Sequence, residues 1–192
     1  MALTVCRFGH VATTAQILEF EMRQDSMVDV YQTSPGIMRI RRGGYACSHL
    51  TADELDALRC GGLLDCVSAL RAAGADVPTD GVLHVRMHAG GRRNRPAPDA
   101  VAAPVRTHWS RLRVPLPTIE ETQRLFRQRR QVPSRAMVAP LDALSQALRC
   151  LEPELALAAA EAARALLPSD AVDDVLRGAS RRVRQRLRAA RL

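Results

Sequence analysis

The stretch that most restricts the fold of this chain is residues 36–47, GIMRIRRGGYAC. From Ile37 to Arg42 the side chains alternate between two faces with the period of a β-strand. Gly43-Gly44 permits a tight turn, and residues 45–47 begin a return strand. Ser34-Pro35-Gly36 ends any helix that precedes the stretch. The segment therefore predicts a short hairpin that carries three arginines.

Residues 13–33 predict two short helices directly before the hairpin. Thr13 can cap the first helix, and Asp25 or Ser26 can cap the second. Helix, turn, helix and basic hairpin is the order of a winged helix-turn-helix. In that fold the second helix enters the major groove and the wing reaches the flanking phosphates. An edge hairpin whose arginines are merely solvated is the alternative.

The winged-helix interpretation assigns candidate DNA-contacting residues. The hairpin arginines would bind the phosphate backbone, and amide and hydroxyl side chains around the second helix would read base edges. A tyrosine at the turn could stack on a base, and a Gly/Pro-rich loop and the C-terminal arginine run supply further cations. The candidates are Gln24, Ser26, Gln32, Thr33, Arg39, Arg41, Arg42, Tyr45, Arg92, Arg93, Arg95, Arg181 and Arg182.

The remainder of the chain predicts a mixture of helices and short strands. Thr51 and Glu54 form a capping-box pattern at the start of a helix, and Pro115 places the last predicted strand at a sheet edge. The predicted segments are two helices within 51–74, strands at 82–87, 105–109 and 112–116, helices at 140–151, 153–167 and 169–178, and a basic helix at the C-terminus. We therefore expect an α+β fold, with a winged helix-turn-helix domain at 1–50 and an α+β effector domain at 51–192.

The charge of the chain favours a polyanionic partner. There are 28 basic and 20 acidic residues, which gives a net charge of +8, and every basic residue is arginine. An excess of this size is typical of proteins that bind nucleic acid. No apolar run approaches the roughly 18 residues that span a bilayer, and the N-terminus lacks the apolar core of a signal peptide. We expect a cytoplasmic protein that contacts no membrane.

Residues that could carry catalysis or bind metals follow no recognised spacing. Phosphate-loop, zinc-protease and nucleophile-elbow motifs are missing from the sequence. The five cysteines are scattered without C-x-x-C spacing, which favours buried thiols over disulfides or zinc sites. His84, His88 and His108 could meet on neighbouring strands, but hydrogen-bonded histidines in a sheet are the simpler expectation. We therefore expect no catalytic residue, no metal and no cofactor.

Several segments resemble an actinobacterial group of proteins. They are TTAQIL, SPGIMRIRRGGYAC, GGLLDCVSALRAAG, GVLHVRM, VRTHW and APLDALSQALRCL, and the most specific parts are Arg39–Ala46 and Gly61–Leu70. The N-terminal winged helix of this group resembles that of abortive-infection (AbiEi-type) antitoxins. Longer members continue into a nuclease domain similar to very-short-patch-repair endonucleases. That domain's Asp/Glu-x-Lys motif cannot occur in a chain without lysine, so the resemblance implies DNA binding without nuclease chemistry.

Together these features predict a non-catalytic, DNA-binding transcriptional repressor. It would be an antitoxin-type regulator of its own operon or a prophage-type repressor, with double-stranded DNA as its main partner and a toxin protein as a second. The alternative is an interaction module that neutralises a toxin or another protein. A further alternative is an inactive remnant of a winged-helix nuclease. The chain could act as a monomer or as a dimer.

Overall fold

The computed structural model describes residues 2–21, 36–87, 101 and 103–190. These residues form an α+β fold, as predicted. The elements are α1 (Ala2–Arg7), β1 (Val11–Thr13), α2 (Thr14–Glu21), β2 (Ile37–Arg41), β3 (Gly44–Cys47), α3 (Ala52–Arg59), β4 (Leu63–Leu64), α4 (Cys66–Ala72), β5 (Leu83–Met87), β6 (Val105–Trp109), α5 (Ile119–Arg127), α6 (Pro140–Cys150), α7 (Pro153–Ala163), α8 (Ser169–Gly178) and α9 (Arg181–Ala189). Among the described residues, no helix has both the length and the apolar character needed to cross a bilayer.

The predicted hairpin is confirmed, and it belongs to an antiparallel sheet with the strand order β1-β3-β2. Gly43 has a φ of +72°, the left-handed conformation that glycine adopts without steric cost. A bulge lies between Arg39 and Arg41 on β2. The predicted first helix is present as α2, and Thr13 caps it by accepting a hydrogen bond from the Gln16 amide at 3.3 Å. The predicted second helix lies outside the described residues.

The second sheet contains β4, β5 and β6, of which β5 is central. β4 runs antiparallel to β5, and β6 runs parallel to it. All five residues of β5 are buried, whereas β6 is only partly covered. Helices α4, α6 and α7 contribute most of the remaining core, and the α7 face consists of Ala156, Ala159, Ala160 and Ala163. Alanines at this spacing allow neighbouring helices to approach closely.

In the region between the strands and the C-terminal helices, one prediction was wrong and one helix was missed. Residues 112–116 form no strand, because the amides of Arg113 and Val114 donate to the carboxylate of Asp142, at 2.9 and 2.8 Å, and not to a strand partner. Helix α5 was not predicted, although Thr118 and Glu121 form a complete capping box at its start.

A buried ion pair fixes β5 against the start of α4. Arg86 donates to both carboxylate oxygens of Asp65, at 2.8 Å through Nε and 2.9 Å through Nη2. A second carboxylate, that of Asp142, lies 3.5 Å from Arg86 Nη1. All three side chains are at most 3% exposed. Bidentate geometry of this kind offsets part of the cost of desolvating the charges.

One extended segment bonds to both parts of the chain, and helix α5, just before it, packs on the N-terminal part. Ile119 and Phe126 of α5 pack against the N-terminal core of Val5, Phe8 and Ile17. The Arg135 amide donates to the Gly9 carbonyl at 2.9 Å, and the next residues bond to Leu64 of β4 on both sides. The domain predicted at 1–50 therefore takes part of its core from residues beyond 118.

Candidate functional sites

The hairpin presents its basic side chains to solvent on a buried base. Arg39, Arg41 and Arg42 are exposed, whereas all four residues of β3 are buried. Because β3 also pairs with β1, the hairpin is attached to the rest of the sheet along β3, and β2 is the edge strand. Within the described part of the chain, no carboxylate forms an ion pair with these three arginines. Their charges are therefore available to an anion.

The remaining N-terminal and loop candidates differ in their placement. Tyr45 is 9% exposed and packs in the same core as Val5 and Phe8. Its ring therefore has no open face for a base, and the proposed stacking role is corrected. The other predicted base readers and loop cations lie outside the described residues: Gln24, Ser26, Gln32, Thr33, Arg92, Arg93 and Arg95.

The C-terminal arginines lie on a helix that is packed on the core. Arg181 and Arg182 are exposed, as a DNA contact requires, but Val183 and Leu187 are 8% and 6% exposed. Arg186 Nη2 donates to the carbonyls of Leu148 and Leu151, both at 2.9 Å. These are carbonyls at the end of α6 that the helix itself leaves unsatisfied. The sequence of this helix has a narrow apolar stripe and a wide basic face, which predicts a loosely held tail; the packing of Val183 and Leu187 corrects that expectation.

Four side chains near the base of the hairpin form the N-terminal cluster: Cys6, His10, Cys47 and His49. His10 Nδ1 lies 3.0 Å from Cys47 Sγ, and His49 Nδ1 lies 3.4 Å from Cys47 Sγ and 3.3 Å from Cys6 Sγ. The four atoms are all within 4.8 Å of one another. Helix α1 supplies the first cysteine, and the end of β3 supplies the second.

The backbone and the electrostatics of the N-terminal cluster are both unusual. Gly9 and His10 have φ values of +74° and +69°, which turns the His10 ring back toward α1. A hydrogen bond with Cys6, together with those of the two histidines, lowers the pKa of Cys47 to about 3, although burial opposes the change. The same hydrogen bond, together with burial, raises the pKa of Cys6. The thiolate is the form of cysteine that binds metals.

A second group, the core cluster, contains Cys66, His84, His108 and Cys150. Its members come from α4, β5, β6 and the end of α6. His84 Nδ1 lies 2.9 Å from His108 Nε2 and 3.8 Å from Cys150 Sγ, and all four ligand atoms lie within 4.8 Å of one another. Three of the four side chains are buried, and Cys150 is half-buried.

The second nitrogen of each histidine in the core cluster also has a partner. His84 Nε2 lies 2.9 Å from Asp80 Oδ2, and His108 Nδ1 lies 3.1 Å from the Gln146 side-chain amide. Burial alone would lower the pKa of His84, but Cys150 and Asp80 outweigh it and raise the pKa. A hydrogen bond from Cys66 lowers the pKa of Cys150 well below its ordinary value. Because both nitrogens of each imidazole have partners, the orientations of the His84 and His108 rings are fixed.

Both clusters could hold a metal ion, which the spacing along the chain did not indicate. The core cluster collects its residues from four separate elements, so no local motif precedes the fold. Only C-x-x-x-H at Cys6–His10 and C-x-H at Cys47–His49 are short-range signals. His84 and His108 do meet on neighbouring strands, as considered from the sequence, but with two cysteines beside them. His88 lies outside the described residues.

Comparisons with known proteins assign no family. No family model matches the chain, and no curated protein matches it. Among solved structures, the Rv2827c protein from Mycobacterium tuberculosis is similar, with 18% sequence identity and a TM-score of 0.37. The match covers 92% of this chain and 69% of that chain.

Proposed function

We propose that this protein binds double-stranded DNA without cutting it, and that the β2–β3 hairpin contacts the phosphate backbone. The observation that supports this most directly is the group of exposed arginines at positions 39, 41 and 42 on a hairpin with a buried base. Because the strand pairing already fixes the backbone of the hairpin, binding need order only the arginine side chains.

The order of the N-terminal elements also favours a winged helix. A helix, a strand and a second helix precede the hairpin, and the first strand pairs with the hairpin's second strand. In such a domain the wing arginines position the protein on the backbone, and base edges are read by other elements. A protein that occupies DNA without chemistry can act by excluding other proteins from its site, and we propose that role here, as a repressor of antitoxin or prophage type.

The net charge of +8 supports a polyanionic partner, and part of it lies on α9. Arg181, Arg182 and Arg188 are exposed on that helix. We propose that these arginines add phosphate contacts that are independent of DNA sequence.

The double variant Arg39→Ala/Arg41→Ala should bind DNA with a weaker salt dependence. Each neutralised phosphate contributes about −0.9 to the slope of log K against log salt concentration, so the slope should flatten by roughly two units. Fluorescence anisotropy with a labelled mixed-sequence duplex over a salt series measures this. Preference between duplex sequences should change little, because phosphate contacts carry no sequence information.

A charge-matched control is Arg71→Ala/Arg177→Ala, on helices α4 and α8. It removes the same number of positive charges, so it should leave the slope near that of the unaltered protein. An equal slope change in both variants would mean that net charge, and not the hairpin, determines binding. An unchanged slope in the hairpin variant would place the hairpin away from DNA.

We expect no nuclease activity from the purified protein. The chain contains no lysine, so the Asp/Glu-x-Lys motif of the nucleases that it resembles cannot occur in it. On α3, Glu54 accepts from the Thr51 amide at 2.9 Å and Asp56 pairs with Arg59, so these two carboxylates already have structural partners. Supercoiled plasmid incubated with Mg²⁺ or Mn²⁺ should therefore stay uncut over hours. Nicking that co-purifies with the protein and disappears in a His84→Ala variant would contradict the proposal.

A further inference from the structure

We propose that the N-terminal cluster and the core cluster are two closed, tetrahedral Cys2His2 zinc sites. This assignment is independent of DNA binding, since it rests only on the geometry of the eight side chains. It also departs from the sequence-based expectation of scattered buried thiols, which considered spacing along the chain and not the proximity that the fold creates.

The distances are close to those around a tetrahedral ion. With Zn–S bonds of about 2.3 Å and Zn–N bonds of about 2.0 Å, the ligand atoms of one site should lie about 3.3 to 3.8 Å apart. Separations of 3.3 and 3.4 Å in the N-terminal cluster and of 3.8 Å in the core cluster lie in this range. The His10–Cys47 and His84–His108 separations, 3.0 and 2.9 Å, are shorter, so these two pairs must move slightly apart to admit the ion. A mixed set of two sulfurs and two nitrogens in this arrangement favours zinc over calcium or magnesium, which prefer oxygen ligands.

The charge balance suits the burial of both sites. In the zinc-bound site both cysteines are thiolates and both histidines are neutral, and any proton displaced from these four groups goes to solvent. The two thiolate charges then cancel the charge of the ion, so each complete site is neutral. A neutral complex is much less costly to bury than an isolated ion, and Cys47, Cys66 and His84 are all 0% exposed.

Two ligand positions have backbone conformations that ordinary residues avoid. Among the described residues, non-glycine residues with positive φ are His10, Cys66 and Arg129, with φ of 69°, 54° and 53°. The first belongs to the N-terminal cluster and the second to the core cluster. Such conformations persist where the surrounding structure requires them, and they occur preferentially at functional sites. Here they orient one ligand of each site toward its partners.

The outer contacts of the histidines are those of metal ligands. Zinc-binding histidines generally donate their other N–H to a carboxylate or a carbonyl, which fixes the ring. His84 has the Asp80 carboxylate in this position. In the N-terminal cluster, the backbone of Val132 hydrogen-bonds to His10. All four positions around each ion come from protein side chains, which is typical of structural and not of catalytic zinc.

The first test measures bound metal in the reduced, full-length protein. Elemental analysis should find two zinc ions per chain, and reconstitution with Co²⁺ should give the visible absorption of tetrahedral cobalt with thiolate charge transfer. The variants His49→Ala and Cys150→Ser should each lose one ion, since they remove an exposed and a half-buried ligand respectively. The control Cys60→Ser, a buried cysteine in neither cluster, should keep both ions.

A second test avoids the ligands themselves, in case a ligand variant fails to fold. Asp80→Asn should weaken zinc binding at one of the two sites about 10- to 100-fold in a chelator competition, because it removes the carboxylate behind His84. Its Oδ1 can still accept from the Val82 amide, as Asp80 does at 3.1 Å, so the loop is preserved. The control Asp76→Asn, an exposed carboxylate in the same loop, should leave both affinities unchanged.

The proposal is overturned if folded protein with all five thiols reduced contains no zinc and gives no tetrahedral cobalt spectrum. It is also overturned if Cys6–Cys47 and Cys66–Cys150 are disulfides in protein isolated from a reducing cytoplasm. One ion that only the variants of one cluster remove would uphold that cluster's site and overturn the other. A full complement of zinc in both His49→Ala and Cys150→Ser would assign the ions to other residues.

Discussion

Replacing Arg86 by methionine should lower the free energy of unfolding by about 3 to 5 kcal/mol, because it leaves buried carboxylate charge uncompensated. Asp65 is 0% exposed and Asp142 is 2% exposed, so water cannot take the place of the guanidinium. Asp142 keeps the amides of Arg113 and Val114 as donors. Asp65 is the partner that loses both of its bonds to Arg86. Urea unfolding followed by circular dichroism measures the loss.

The stability lost in the Arg86→Met variant should increase as pH rises from acid toward neutral. Burial already raises the pKa of Asp65 in the folded protein, and loss of Arg86 raises it further. A carboxyl group whose pKa is higher in the folded than in the unfolded protein does not destabilise the fold while it is protonated in both states. The destabilisation grows as pH rises from the unfolded-state pKa toward the folded-state pKa. The Arg86→Met variant should therefore lose least stability in acid and most near neutral pH.

Two controls isolate the ion pair from the loss of a side chain. Arg71→Met removes an exposed arginine and should change stability by less than about 0.5 kcal/mol. The double variant Arg86→Met/Asp65→Leu removes both charges and should be more stable than Arg86→Met alone. A double variant as unstable as the sum of the single changes would show that the two side chains act independently.

Removing helix α9, residues 180–192, should destabilise the protein by roughly 3 to 6 kcal/mol. Val183 and Leu187 are almost fully buried, and burial of each such side chain contributes about 1.5 to 3 kcal/mol. The deletion also takes away the Arg186 donor at the end of α6. Thermal and urea unfolding of the shortened chain measure the effect, with a chain that lacks only residues 190–192 as the control.

A pair of variants separates the packing of α9 from its charge. Leu187→Ala should cost about 2 to 5 kcal/mol of stability and should leave DNA affinity unchanged in the folded protein. Arg181→Ala/Arg182→Ala should leave stability nearly unchanged and should weaken binding to every duplex alike. If the deletion of α9 left the melting temperature unchanged, the helix would be a loosely attached tail, as the sequence suggested.

The sequence predicted those elements that are specified by neighbouring residues, such as turns and helix caps. The alternation of residues 37–42 with the following glycines specified the hairpin, and the capping box at Thr51 specified the start of α3. Helix α5 begins with the same kind of capping box, at Thr118, and could have been recognised from it. Residues 112–116 have the composition of a strand, but a distant carboxylate satisfies two of their amides. No local pattern contains that information.

The candidate sites also divide into those that the sequence could predict and those that it could not. The exposure of the hairpin arginines could be predicted, because three arginines within four residues of a short hairpin cannot all be buried. The two cysteine–histidine clusters could not be predicted, because their members meet only in the fold. Helix α1 and strand β3 bring the N-terminal cluster together, and α4, β5, β6 and the end of α6 bring the core cluster together. The attachment of α9 to the core was underestimated from its narrow apolar stripe, because arginine contributes more than charge. The guanidinium group of Arg186 also donates hydrogen bonds to carbonyls at the end of α6.

The segment at 135–138 has a consequence for any attempt to dissect the protein. It bonds to Gly9 in the N-terminal part and to Leu64 in the second sheet, while α5 covers α1 just before it. A fragment that ends at residue 50 would expose the apolar surface that Ile119 and Phe126 cover. An insertion near residue 130 is therefore expected to disturb the part of the chain that carries the β2–β3 hairpin, although the two lie far apart in sequence.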